Sequence, residues 1–122
     1  MPIHILVVDD EQTIRDLLSQ FLQAKGCQVT ATASAQDALQ ILEASQPDLV
    51  ICDISMDESD GLALIDRMRE VNAQVPILIL SGMFFDAQVV REKLLRRASG
   101  FVSKTASLQD IFKEVRRLAG AP

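Results

Sequence analysis

The sequence has few residues of the kinds that support redox or histidine chemistry. Its 122 residues include two cysteines, one histidine, and no tryptophan or tyrosine. Cys27 and Cys52 are far apart and lie among apolar residues, so we interpret both as small buried side chains in a reducing compartment. Their spacing does not match that of a metal site. His4 is the only histidine, so the chain contains no histidine relay, and we expect no catalytic role for it.

Long apolar runs and an excess of positive charge are also missing. No stretch is long enough for a transmembrane helix, and the N-terminus lacks the basic start and apolar segment of a signal peptide. We therefore expect a cytoplasmic protein without a membrane partner. The formal net charge of −5 argues against direct nucleic-acid binding through the overall field. With 48% apolar and 24% charged residues, the composition is globular, and the length predicts one domain over residues 1–122.

Strand-like apolar runs and amphipathic helical segments alternate along the chain. We predict strands over residues 3–8, 27–32, 48–52, 75–80 and 100–103. The first helix is predicted over 11–25 and the second from Ser34 to Pro47. A polar loop over 54–61 precedes the third helix, the fourth is predicted over 86–98, and the fifth begins at about Ser107. In the first helix, the apolar residues at helical spacing are Ile14, Leu17, Leu18, Phe21 and Leu22. This alternation indicates an α/β fold, with a parallel sheet between two layers of helices.

Reactive side chains follow four of the five predicted strands. Asp9 and Asp10 follow the first, Asp53 the third, Ser81 the fourth and Lys104 the fifth. Sites in parallel sheets form at the carboxyl ends of strands, where the winding reverses. Three carboxylates that meet there need a cation, and a set of oxygen ligands suits Mg²⁺. An aspartate can also act as a nucleophile in phosphoryl transfer, while Lys104 neutralises the transferred group.

A simpler interpretation of Asp9 and Asp10 places them at the start of the first helix, where the helix dipole favours negative charge. Glu11 already serves that purpose, and the presence of Asp53 and Lys104 favours the functional interpretation. Ser81, which precedes a glycine, is also compatible with ordinary turn chemistry.

Five segments resemble, in this order, the receiver domain of two-component response regulators: "ILVVDDE", "PDLVICDISM", "DGLALI", "PILILSG" and "GFVSK". The resemblance covers nearly the whole chain. It implies a flavodoxin-like three-layer sandwich, in which five helices surround a five-stranded parallel sheet of order 2-1-3-4-5. It also implies a signalling phosphoacceptor that catalyses its own phosphorylation and dephosphorylation, and not a turnover enzyme.

The resemblance implies a role for each acid. Asp53 would accept the phosphoryl group from a histidine kinase or a histidine phosphotransfer protein. Asp10 and Asp53 would bind Mg²⁺ through their side chains and Asp9 through water. Ser55 would bind the ion through its backbone carbonyl.

A switching surface is implied in the same way. Lys104 would contact the phosphoryl group, Ser81 would move toward it, and Phe101 would turn inward as Ser81 moves. The surface formed by the fourth helix, fifth strand and fifth helix would then signal to a downstream effector domain or protein. Basic residues of the fifth helix are interpreted as a solvated face, with a homodimer contact as the alternative: Lys113, Arg116 and Arg117.

Two positions depart from the family pattern. Asp57 follows Met56 where the family usually has proline, and Thr105 follows Lys104 where the family often has a cis proline, so the bond before Thr105 should be trans. We interpret Asp57 and Glu58 as part of a solvated loop, with altered metal binding as the alternative.

Three other functions compete with a phosphoacceptor. A pseudo-receiver would bind partners without phosphorylation, although all five site positions are present. A flavodoxin-like cofactor binder would need a phosphate loop in place of the acidic "DDEQT" segment. A Mg²⁺-dependent phosphatase with an aspartate nucleophile would need a substrate pocket or cap, and the predicted loops are short.

Overall fold

Five parallel strands form a single sheet in the order β2-β1-β3-β4-β5, which confirms the predicted order. The structure, a computed structural model, describes residues 2–53, 58–81, 98–103 and 106–120. The strands are β1 (His4–Val8), β2 (Gln28–Thr32), β3 (Leu49–Asp53), β4 (Ile77–Ser81) and β5 (Gly100–Ser103). The described helices are α1 (Gln12–Ala24), α2 (Ala35–Ser45), α3 (Glu58–Val71) and α4 (Leu108–Ala119).

The helix predicted over 86–98 lies outside the described residues except for Ala98, which is buried. The fifth helix of the sequence prediction therefore corresponds to α4. The predicted polar loop through Gly61 was wrong, because α3 begins at Glu58. Acidic residues are favourable in the first turn of a helix, and the burial of Ile65 and Met68 outweighs the roughly 1 kcal/mol cost of a helical glycine.

The central strands β1, β3 and β4 are buried on both faces, and each face of the sheet has its own core. Leu6 and Val8 of β1 point toward α2 and α3, whereas Ile5 and Val7 point toward α1 and α4. This alternation follows from the two-residue period of a strand. The helices contribute Ala38, Leu42, Ile65 and Met68 to the first core, and Leu18, Leu22, Ile111 and Val115 to the second.

Local signals in the sequence set the helix ends. Ser34 accepts a hydrogen bond from the Asp37 N–H at 3.2 Å and thereby caps α2, as predicted, and Ser107 caps α4 through the Asp110 N–H at 3.1 Å. Gly26 follows α1 with a φ of 89°, in the left-handed region that glycine tolerates best. These local features determine where α2 and α4 begin and where α1 ends.

The buried face of α1 does not include all five of the apolar residues at helical spacing. Leu18 and Leu22 are buried and Ile14 and Phe21 pack beside them, but Leu17 is 47% exposed. Leu17 lies at the edge of the apolar stripe and lines a recess of about 90 Å³ between α1 and α4. Of the described helices, none is long and apolar enough to cross a bilayer.

Candidate functional site

Two neighbouring strands bring the predicted acids together. β1 and β3 are parallel neighbours, and their register pairs Val8 with Cys52. The next residue of each chain segment is an aspartate, so Asp9 and Asp53 lie side by side at the carboxyl edge of the sheet. His4 lies at the opposite, amino end of β1, where its Nε2 is 2.9 Å from the Thr30 hydroxyl.

Four carboxylates converge at this edge. One carboxylate oxygen from each of Asp9, Asp10, Glu11 and Asp53 lies within 4.8 Å of the others. Asp9 is 2% exposed and Asp53 is 9% exposed, whereas Asp10 and Glu11 face solvent. Like charges at this spacing repel, and their burial is costly unless a cation offsets it. Because all four offer hard oxygen ligands, the group is suited to Mg²⁺.

The turn between β1 and α1 is fixed through three polar groups of Asp9. Its N–H donates to the Thr32 carbonyl at 3.1 Å, and its Oδ1 accepts a hydrogen bond from the Glu11 N–H at 2.8 Å. Its backbone carbonyl accepts a hydrogen bond from Arg15 Nη1 at 2.7 Å. These bonds tie the turn to β2 on one side and to α1 on the other.

Glu11, which the sequence pattern assigns to the helix dipole and not to the metal ligands, lies closer to the site than expected. It is the N-cap residue of α1, but its side chain makes no capping hydrogen bond. Its carboxylate lies instead within the acidic group. The run of three acids directly after β1 is the sequence signal that could have identified Glu11 as a member of the acidic group. A turn this short keeps consecutive side chains close to one another.

Cys52 lies directly before Asp53 and is fully buried in the core beneath α2 and α3. Burial, reinforced by the charges of Asp53 and Asp9, raises the pKa of the Cys52 thiol to about 12. The thiol therefore stays neutral and adds no charge to the acidic group. Cys27 is half-buried, and desolvation raises its pKa as well.

The fourth and fifth strands place two further predicted residues. The register pairs Asp53 with Leu80 and Ser81 with Ser103, so the Ser81 backbone lies at the same edge of the sheet as the carboxylates. Phe101 is partly buried and packs against the core beneath α2 and α3. Neither placement tests the predicted switching role.

Four residues with predicted roles lie outside the described part of the chain: Ser55, Asp57, Lys104 and Thr105. In the sequence, Lys104 directly follows Ser103, the last residue of β5. For Glu58, the structure describes only the helical backbone.

Comparisons with known proteins agree with this geometry. The family model described as the response regulator receiver domain matches residues 5–116. Regulator of RpoS from Escherichia coli (strain K12) is 40% identical over 78 residues, which cover 64% of this chain and 23% of that protein. Response regulator MprA from Mycolicibacterium vanbaalenii is 28% identical over 125 residues, which cover 97% of this chain and 51% of that protein. This chain therefore spans about a quarter of the first relative and about half of the second.

Among solved structures, a CheY-like response regulator receiver domain protein from Methanospirillum hungatei JF-1 superposes with a TM-score of 0.88. The alignment covers 98% of this chain and 94% of that chain, at 21% sequence identity. At this identity the likeness shows a shared fold, with the parallel sheet and flanking helices described above.

Proposed function

Because this chain belongs to the response regulator receiver family, we propose that Asp53 accepts a phosphoryl group in a Mg²⁺-dependent reaction. The donor is a histidine kinase or a histidine phosphotransfer protein. The observation that supports this most directly is the group of four carboxylates, in which Asp53 is 9% exposed and has another carboxylate beside it. Such a group is unfavourable for folding alone. A divalent cation would offset its charge and could in turn bind the oxygens of a phosphoryl group.

The proposed reaction forms one bond and breaks another. A carboxylate oxygen of Asp53 bonds to phosphorus as the P–N bond of the phosphohistidine breaks, and the electron pair of that bond stays with the imidazole. When bound, Mg²⁺ would neutralise charge on the phosphoryl oxygens. Asp10 and Asp53 would hold the ion through their side chains, Asp9 through water and Ser55 through its backbone carbonyl.

Lys104 and Ser81 contact the phosphoryl group in this proposal, and Phe101 turns inward when Ser81 moves. Support comes from the parallel pairing of β4 with β5, which brings the ends of both strands to the edge that holds Asp53. In this proposal, the segment 86–98, which the sequence pattern predicts to be helical, forms the switched surface together with β5 and α4, and this surface acts on an effector domain or protein. We propose that residues 1–122 form one such domain, which either remains a monomer or pairs with a second copy.

Intact-mass spectrometry tests the proposal. The chain is incubated with Mg²⁺ and acetyl phosphate, and a single phosphoryl adduct is expected. The Asp53→Asn variant should show no adduct, whereas Asp16→Asn, which removes an exposed acid of α1, should behave as the wild type does. A wild type that takes up no phosphoryl group from acetyl phosphate or from a phosphorylated histidine protein would favour a pseudo-receiver instead.

A further inference from the structure

Arg15 lies in the second turn of α1, and its guanidinium reaches back to the start of the helix. Its Nη1 donates to the backbone carbonyl of Asp9 at 2.7 Å, a short, charge-assisted hydrogen bond. The N-terminal end of a helix is where the dipole disfavours a cation. The nearby carboxylates attract the positive charge of the Arg15 guanidinium and offset this unfavourable effect of the dipole: Asp9, Asp10, Glu11 and Asp53.

We propose that Arg15 is a positioning residue that orients the carboxylates before a divalent cation binds. The proposal rests on the proposed function of the site. The Asp9 carbonyl belongs to the planar peptide that joins Asp9 to Asp10. When Arg15 fixes that oxygen, it fixes the orientation of the peptide and the direction in which Asp10 leaves it.

The other bonds of the turn depend on the same peptide. The Asp9 N–H is anchored to Thr32, and Asp9 Oδ1 accepts from the Glu11 N–H on the far side of that peptide. If the Asp9 carbonyl were released, rotation of this peptide would loosen the Glu11 N–H bond and turn Asp10 away from Asp53. Arg15 bonds to a backbone oxygen, so it orients Asp9 without occupying one of its carboxylate oxygens.

Arg15 affects metal affinity in two opposite ways. Whether its replacement tightens or weakens Mg²⁺ binding shows which of the two is larger. Its positive charge repels a divalent cation, so its removal would tighten metal binding if charge were all that mattered. Its hydrogen bond keeps the ligands in place, so its removal would weaken binding if positioning prevails. We expect positioning to prevail.

Calorimetric titration of the unphosphorylated protein with Mg²⁺ provides the test. Arg15→Gln should weaken Mg²⁺ affinity by about tenfold, the size of effect seen when residues that orient metal ligands are removed. Arg67→Gln removes the same charge from an exposed position on α3 and should change affinity by less than about twofold, since exposed charges at longer range are screened. Arg15→Lys retains the charge and one donor and should keep most of the affinity.

Amide hydrogen exchange of the metal-free protein gives a readout that does not depend on the ion. In Arg15→Gln, the Glu11 N–H should exchange faster than in the wild type, while the Val7 N–H within β1 should remain protected. Unchanged protection of Glu11, or Mg²⁺ affinity equal to or tighter than that of the wild type, overturns the positioning role. A wild type that binds no Mg²⁺ overturns the proposed function together with this inference.

Discussion

Cys52 and Asp53 are consecutive residues of one strand, yet their side chains lie in opposite surroundings. Cys52 packs into the core beneath α2 and α3, and Asp53 joins the carboxylates at the edge of the sheet. The two-residue period of a strand requires this separation. A neutral thiol and a charged carboxylate can therefore be neighbours in sequence without sharing an environment.

The buried Cys52 thiol predicts a loss of stability at alkaline pH. Its pKa is about 12 in the folded protein, against an ordinary value of 9.0. Because the folded pKa is the higher one, the stabilisation is complete below pH 9 and is lost as the pH rises from about 9 toward 12. The loss should approach about 1.4 kcal/mol per pH unit.

Cys52→Val removes the titration at similar volume, so the free energy of unfolding should be measured for both proteins by urea denaturation. Circular dichroism is the suitable probe, because the chain has no tryptophan or tyrosine. The wild type should lose stability relative to the variant between pH 9 and pH 11. A difference that does not change across this range would show that the thiol is accessible to water.

The packing of β5 against α4 depends on the absence of a side chain at Gly100. A Cβ there would lie 3.1 Å from Leu118 Cδ1 and 3.2 Å from Leu78 Cδ1, both closer than ordinary contact. Gly100→Ala should therefore push α4 away from the sheet and destabilise the protein by about 1–3 kcal/mol. Urea denaturation measures the change.

Leu118→Ala provides the control for this prediction, because it makes room for the added methyl group. The penalty of Gly100→Ala should be smaller in the Leu118→Ala background than in the wild type. Equal penalties in both backgrounds would mean that the contact with Leu118 does not limit the approach of α4.

Some helices and strands could be predicted from the sequence more accurately than others. The apolar runs of β1 and β3 and the cap at Ser34 were predictable because burial on both faces and capping leave local signals. Local pattern does not specify the strand order, which was predicted only through the family resemblance. The start of α3 was misjudged because Glu58 to Gly61 has the composition of a loop, and tertiary burial of the following residues decided the outcome.

The sequence also predicted part of the candidate site, namely its aspartates, but not the arginine that contacts the turn. Asp9, Asp10 and Asp53 were identified because each follows a buried strand, where an acid has no packing role. Arg15 was missed because a single arginine at helical spacing resembles a solvated residue. Its contact with the Asp9 carbonyl depends on the path of the turn, which the sequence does not specify.

The domain as a unit should be more stable with Mg²⁺ than without it. Metal that binds only the folded state stabilises it by mass action, and it also relieves repulsion among the four carboxylates. Asp10→Asn should raise the free energy of unfolding of the metal-free protein by about 1 kcal/mol, the Coulomb energy of two charges at this spacing in water.

The same variant should lose most of the added stability that Mg²⁺ gives the wild type, because it lacks a ligand. Urea denaturation with Mg²⁺ and with a chelator measures both effects, and Asp16→Asn on the exposed side of α1 is the matched control. A wild type whose stability is identical in Mg²⁺ and chelator would contradict metal binding at the carboxylates.

Localisation of the phosphoryl group is the decisive measurement for Asp53 as the phosphoacceptor. After incubation with acetyl phosphate and Mg²⁺, borohydride reduction converts an aspartyl phosphate to homoserine, which peptide mass mapping assigns to one residue. We expect homoserine at position 53, and none at positions 9 and 10 or in a sample treated with chelator. Homoserine at another acid, or a phosphoryl adduct that borohydride does not reduce, would contradict the assignment of Asp53.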